Sequence, residues 1–256
     1  MSLQACAELV ARGDPDRFRA AMVTPPEARA ALFPLYAFNV EVSRAPWVTE
    51  EPMIAEMRLQ FWRDVTGEIA QGTAPRAHEV ALPLAGVVRA EDAGLLDGLV
   101  AARRWDIYKD AFEDQAHFER YLDATGGNLA WVAARALGAP DAAEGTIRDA
   151  AFAAALARFL VAVPELEARG RIPLVDGRPE AISALAAEGR GRLARARTAR
   201  AGVPRKAGHA LYDGWQAEAL LKRAEADPLA VAEGRLSLGA FGASWRLARL
   251  ALTGRW

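Results

Sequence analysis

An all-α fold is what the sequence predicts, on three observations. Alanine and leucine dominate, with glutamate and arginine spaced between them, and all four are strong helix formers. Alternating β-branched runs, the mark of strands, are absent. Apolar residues instead recur at helical spacing along most of the chain. The 256 residues are 52% hydrophobic, enough for a sizeable core. No repeat and no linker rich in Gly, Ser or Pro divides them, so residues 1–256 are read as one domain.

The elements follow in order. A first helix is expected after Pro25-Pro26, because proline suits a first helical turn. It carries Leu32, Phe33, Tyr36, Phe38 and Val40, should kink at Pro34 and ends at Pro46. A second begins near Pro52, with Ile54, Met57, Phe61, Val65 and Ile69 in register, and Gly72 ends it. A third covers about 91–105, with Leu95, Leu96 and Leu99 inward. A fourth covers about 114–137. Gly126-Gly127 interrupts it, which implies a bend or a close helix contact. The fifth, about 146–168, is almost wholly apolar up to Pro164, as a helix at the centre of a bundle would be. Further helices are expected at about 179–201, 208–226 and 237–252.

Composition excludes several function classes. Charged residues make up 25% of the chain and the net charge is −1, so no global field draws nucleic acid or acidic lipid. The single Cys6 rules out an internal disulfide framework. No basic stretch leading into a long apolar run marks a signal peptide at the start, and no run approaches the roughly 18 apolar residues of a membrane span. The expected location is the cytoplasm, with peripheral attachment to the inner membrane as a variant.

Five stretches carry a resemblance. They are "DRFRAAMVTPPEARAALFPLYAF" (Asp16 to Phe38), "RLQFWRDV" (Arg58 to Val65), "HEVALPLA" (His78 to Ala85), "ERYLDATGGNLAWVAARALG" (Glu119 to Gly138) and "GRIPL" (Gly170 to Leu174). In their order and spacing they resemble the squalene/phytoene synthase family. That resemblance implies an isoprenoid-synthase bundle around a central cavity, in which active members join two prenyl diphosphates head to head.

The chemistry of such members needs Mg²⁺ to neutralise a departing diphosphate, and Mg²⁺ takes hard oxygen ligands. Carboxylates four apart share one face of a helix and can serve one metal cluster. The resemblance implies two such acidic patterns facing each other across the cavity. After Tyr36-Ala37-Phe38, however, Ser43, Arg44 and Trp47 occupy the positions of the first three aspartates. In the second pattern Ala162 and Leu166 replace aspartates and only Glu165 stays acidic. No Asp other than Asp64 occurs in residues 18–67, and none in 150–175, so a shift of register rescues neither. A cation at Arg44 would repel a divalent ion. The expectation is therefore a pseudoenzyme with no catalytic residues, no metal ligands and no cofactor. Mg²⁺ enters only under the alternative, an active farnesyl or geranylgeranyl diphosphate transferase with a different metal arrangement. "Ala-Val-Pro" at Ala162 to Pro164, "RLQFWRD" and the terminal "GRW" resemble the branch of the family that assists assembly of respiratory complex I. The resemblance implies respiratory-complex subunits as partners.

A retained cavity would hold a prenyl or lipid-like ligand, with Phe33, Tyr36, Asn39, Arg44, Tyr121, Asn128, Arg158, Glu165 and Arg171 as candidate lining. Trp47 and Phe159 are large enough to plug it. Arg44 could receive a phosphate directly, but an ion pair with Glu41 or Glu165 is favoured over that role. Glu165 is weighed as a plain helix-end carboxylate before a leftover ligand. His78, His117 and His209 lack metal-ligand spacing. Arg103, Arg104, Asp106, Lys109, Asp110, Glu113 and Asp114 mix both signs and read as a solvated face. Cys6 reads as inert.

Two segments suit an anionic membrane surface. Arg190 to Lys206 has seven cations and no acid, and lacks the aromatic residues that would suit it to nucleic acid. A plain solvated helix face is the favoured reading there. Ser237 to Trp256 is an amphipathic basic stretch, read equally as a surface-lying helix or as a last helix packed on the bundle, and the alternative function it supports is a membrane-surface scaffold.

Overall fold

The computed structural model describes residues 3–256, and among them there are helices and turns but no strand. Two short helices precede the first one expected. α1 (Leu3–Gly13) packs on the helix that follows Pro25, and α2 (Pro15–Met22) begins with Pro15 in its first turn. The Asp14 carboxylate caps α2 by accepting from the Arg17 amide at 3.0 Å. This Asp-Pro start was a readable signal that periodicity over so short a run does not bring out.

α3 (Pro26–Arg44) runs continuously past Pro34, buries nearly every side chain from Ala31 to Val42, and passes into a 3₁₀ turn, Ala45–Trp47. α4 (Pro52–Ala70), the short α5 (Ala81–Ala85) and α6 (Ala93–Ala102) build one flank, with Trp62 edge-on to Phe38. The expected third helix is shorter than its apolar pattern, because 3₁₀ turns at Ala90–Asp92 and Arg103–Asp106 close both ends.

α7 (Gln115–Leu122) and α8 (Asn128–Ala136) are one rod joined by a π-helical turn, Asp123–Gly127. The reason is steric. A Cβ built on Gly126 would stand 2.5 Å from the Ala155 Cβ, so only glycine lets this turn lie against α9. α9 (Glu144–Ala168) touches α7, α8, α10 (Pro179–Thr198), α12 (Ala217–Ala226) and α13 (Leu229–Ala232), the central position its almost wholly apolar sequence predicts.

The helix expected over 208–226 is broken. α11 (Arg205–Gly208) leads into a 3₁₀ turn, His209–Gly214, before α12 starts. Here the Asp213 backbone oxygen accepts from the Arg158 guanidinium at 2.6 Å, and Gly214 lies close to Ala154 on α9. The last helix, α14 (Ala240–Thr253), ends at Gly254 in the left-handed conformation. None of the described helices is long and apolar enough to cross a membrane.

Candidate functional site

A cavity of about 830 Å³ opens between the C-terminal half of α3, the start of α2 and the face of α9. That size suits a drug-sized or lipid-like ligand. One part of its wall is apolar, formed by Trp47, Leu122, Phe159, Ala162 and Leu166. Trp47 and Phe159 line the space without filling it. Trp47 is held in place by guanidinium groups, with Arg169 at 4.8 Å and Arg171 at 5.7 Å from its ring centroid.

The rest of the wall is cationic. Arg12, Arg17, Arg44, Arg103, Arg158 and Arg169 face two carboxylates, Asp106 and Glu165. The interior arginines are matched one by one. Arg17 donates to Asp14 at 2.8 Å and to Asp213 at 3.2 Å, and Arg158 shares the same Asp213 oxygen at 2.9 Å. Burial alone would raise the Asp14 carboxyl, but Arg17 and Arg158 beside it hold it below the ordinary carboxylate range. Deeper in, Arg103 donates to Asp106 at 3.0 Å and to the Tyr121 hydroxyl at 2.8 Å. That hydroxyl donates in turn to Asp106 at 3.0 Å. Burial pushes the Tyr121 phenol well up, so it stays a neutral donor.

At the rim the pattern differs. Glu165 pairs with Arg169 at 2.6 Å, one helical turn on. Arg12 and Arg44 are exposed, and among the described residues no carboxylate lies within ion-pair distance of either. The ion pair of Arg44 with Glu41 or Glu165 favoured from the sequence is therefore absent: Glu165 is spent on Arg169.

Of the candidate lining, Asn39, Arg44, Tyr121, Arg158 and Glu165 meet at this cavity. Phe33, Tyr36, Asn128 and Arg171 do not, and each has a physical reason. Phe33 is buried against Phe18, ring centroids 5.8 Å apart. Tyr36 lies beneath the Arg17 guanidinium, its hydroxyl buried without a partner and its phenol pushed up by that burial. Asn128 bridges helices, donating to the Leu95 carbonyl at 2.9 Å and accepting from Arg148 at 3.2 Å. Arg171 donates to the backbone carbonyls of Asp106 at 2.7 Å and Tyr108 at 2.8 Å and stacks on Trp105 at 4.2 Å, so it organises the turn that carries Arg103 and Asp106.

One charged stretch also needs correction. Asp106 and Arg103 are inside the protein, whereas Arg104, Lys109, Asp110, Glu113 and Asp114 are solvated as expected. The stacking of Trp105 on Phe112, centroids 4.1 Å apart, turns that part of the strip inward, and the aromatics around the charges were the signal. Arg12, Arg17, Arg103, Asp106 and Arg169 were all missed as cavity residues. Arg12, Arg17, Arg103 and Asp106 lie on elements outside the two acidic motif positions, and only the fold brings them there, whereas Arg169, one turn after Glu165 at the end of the same helix, was legible from spacing.

The metal that a prenyl synthase would use does not fit this site. Ser43, Arg44, Ala162 and Leu166 line the cavity where carboxylates would be needed, and both acids present are already bonded to arginine. Among the described residues no group of three His, Cys, Asp or Glu side chains is placed to hold a metal ion.

Comparison with known proteins bears on the family and the fold. The sequence profile of the squalene/phytoene synthase family matches residues 10–175. The NADH dehydrogenase (ubiquinone) complex I assembly factor 6 of Bos taurus is 28% identical over 138 residues, covering 53% of this chain and 41% of the relative. Its Drosophila melanogaster homologue is 31% identical over 130 residues, covering 48% of this chain and 39% of the relative. The matched region thus spans about two fifths of those relatives' length. Among solved structures, a dehydrosqualene synthase in complex with ligand superposes with a TM-score of 0.80 at 12% identity, covering 97% of this chain and 94% of that one. The squalene synthase HpnC of Alicyclobacillus acidocaldarius gives 0.73 at 14% identity, covering 89% and 94%. At such identities the likeness speaks for the fold alone.

Proposed function

The chain belongs to the squalene/phytoene synthase family, and we propose that it is a member without prenyl-synthase catalysis, serving in the building of respiratory complex I. One observation carries this reading. The cavity positions that would need carboxylates hold Ser43, Arg44, Trp47, Ala162 and Leu166, so no anchor exists for the divalent ions that expel a diphosphate. The similarity to complex I assembly factor 6 supports the assembly role.

The cavity keeps a use in this proposal. An apolar wall of Trp47, Leu122, Phe159 and Leu166 beside the unpaired Arg12 and Arg44 suits a prenyl or lipid-like molecule with an anionic head, held by guanidinium groups and not through a metal. Catalysis is tested by incubating the purified protein with Mg²⁺ and farnesyl or geranylgeranyl diphosphate. The expected result is no released diphosphate and no hydrocarbon product. Turnover would establish the active transferase instead. The assembly role is tested by affinity purification from cells, with co-isolation of complex I subunits expected.

A further inference from the structure

The sequence left open whether the last helix packs on the bundle or lies on a surface. In the structure one side of it packs on the bundle and the opposite side is open to solvent. A helix advances about 100° per residue. Leu250 is buried against Ala20 and Tyr212, and Ala243, Arg246 and Leu247 on the same side are partly covered. Phe241, Trp245, Ala248 and Leu252 fall on a strip about 60° wide directly opposite Leu250. Phe241 is 86% exposed, Trp245 64% and Leu252 85%. A soluble helix normally turns its apolar residues to one side only. Here a second apolar strip has no partner among the described residues.

The second sequence feature converges on the same place. The Arg197 guanidinium donates to the Trp256 backbone oxygen at 3.2 Å. Gly208 lies against the Trp256 ring, and Gly254 beside Tyr212 and Arg205. Four cations of the basic segment are neutralised within the fold: Arg190 by Glu218 and Glu225, Arg192 by Glu119 and Glu188, Arg195 by Asp149 and Arg197 by Glu218. Arg200, Arg205 and Lys206, at the end nearest α14, form no ion pair among the described residues. Nor do Arg246, Arg249 and Arg255. No acidic side chain occurs in residues 189–212 or 236–256.

We propose that the outward strip of α14, with Arg249 and Arg255 and the neighbouring Arg200, Arg205 and Lys206, docks the protein on an anionic lipid surface. An aromatic and aliphatic strip bordered by arginine is the chemistry that enters a headgroup layer, with cations drawn to anionic lipid. A second copy pairing through the same face would bring like charges together. The strip is also one convex helix and not a groove that would seat a partner helix.

Flotation of the full chain with phosphatidylcholine vesicles, and with vesicles that also contain phosphatidylglycerol, tests this. The protein should rise with the anionic vesicles, rise far less with neutral ones, and be released by salt. The triple variant F241S/W245S/L252S changes only side chains that face solvent, so its circular dichroism should match wild type while its flotation falls to background. R249E/R255E should weaken binding about tenfold or more. R44E, at the cavity, should float like wild type, which separates this surface from the cavity proposal. Equal binding to neutral vesicles, a triple variant that floats normally, or no flotation at all would each overturn the inference. So would an oligomer that only the triple variant abolishes, since that would assign the strip to a second copy.

Discussion

The interior and the rim of the cavity handle the same side chain in opposite ways. Arg17, Arg103 and Arg158 are enclosed, and each has a carboxylate within 3.2 Å. Arg12 and Arg44 stand at the mouth with none among the described residues. The difference follows from solvation. An enclosed guanidinium must be compensated by the protein, whereas a solvated one is compensated by water and remains available to an incoming anion. The interior charges are therefore structural, and Arg12 and Arg44 at the rim are free for binding, although all belong to one wall.

The comparison is most exposed at Asp213, which serves Arg17 and Arg158 together. Asp213→Ala leaves two partly enclosed cations without it and should lower unfolding free energy by about 3 kcal/mol, read from urea melts. An unchanged midpoint would mean that water already compensates these arginines. Asp106→Ala, which strands Arg103 and the Tyr121 hydroxyl, should cost about 2 kcal/mol by the same measurement. Arg44→Glu at the rim should leave stability within about 0.5 kcal/mol. It should weaken metal-free binding of farnesyl diphosphate about tenfold, followed by tryptophan fluorescence or calorimetry. Equal binding by the variant would remove Arg44 from the proposed head-group site.

The smallest effect sharpens the rule with a group kept neutral. His209 is buried with its Nδ1 unpartnered, and burial, with Arg205 nearby, holds its pKa below the ordinary 6.5. The unfolded chain therefore binds the proton more readily. Stability from this group is fully present above about pH 6.5 and declines as the pH falls through the lowered folded-state value. Thermal midpoints followed downward from neutral pH should show this slope, and His209→Gln should flatten it.

The helices at the centre were legible because their chemistry is one-dimensional. α9 is almost wholly apolar up to Pro164 and is central, and Gly126 marks the place where a helix approaches too closely for any side chain. That Ser43, Arg44, Ala162 and Leu166 are not acidic was equally plain in the chain. The pairing of charges was not. Arg17 and Asp213 are 196 positions apart, and nothing local says that they meet. Asp106 looked solvated because its neighbours Lys109 and Asp110 are, yet stacking of Trp105 on Phe112 decides the matter. The break at His209–Gly214 escaped notice because its cause, a guanidinium from α9 bonding the Asp213 carbonyl, lies outside the segment.

The sole thiol of the chain has a practical consequence. Cys6 is fully covered in the core, and burial raises its pKa to about 11, so at neutral pH it stays protonated and slow toward electrophiles. A cysteine placed at position 245 or 44 would then be the one reactive handle on the native molecule, without any need to remove Cys6 first. A dye or spin probe attached there could report immersion depth at one end and occupancy at the other, each from a singly tagged protein.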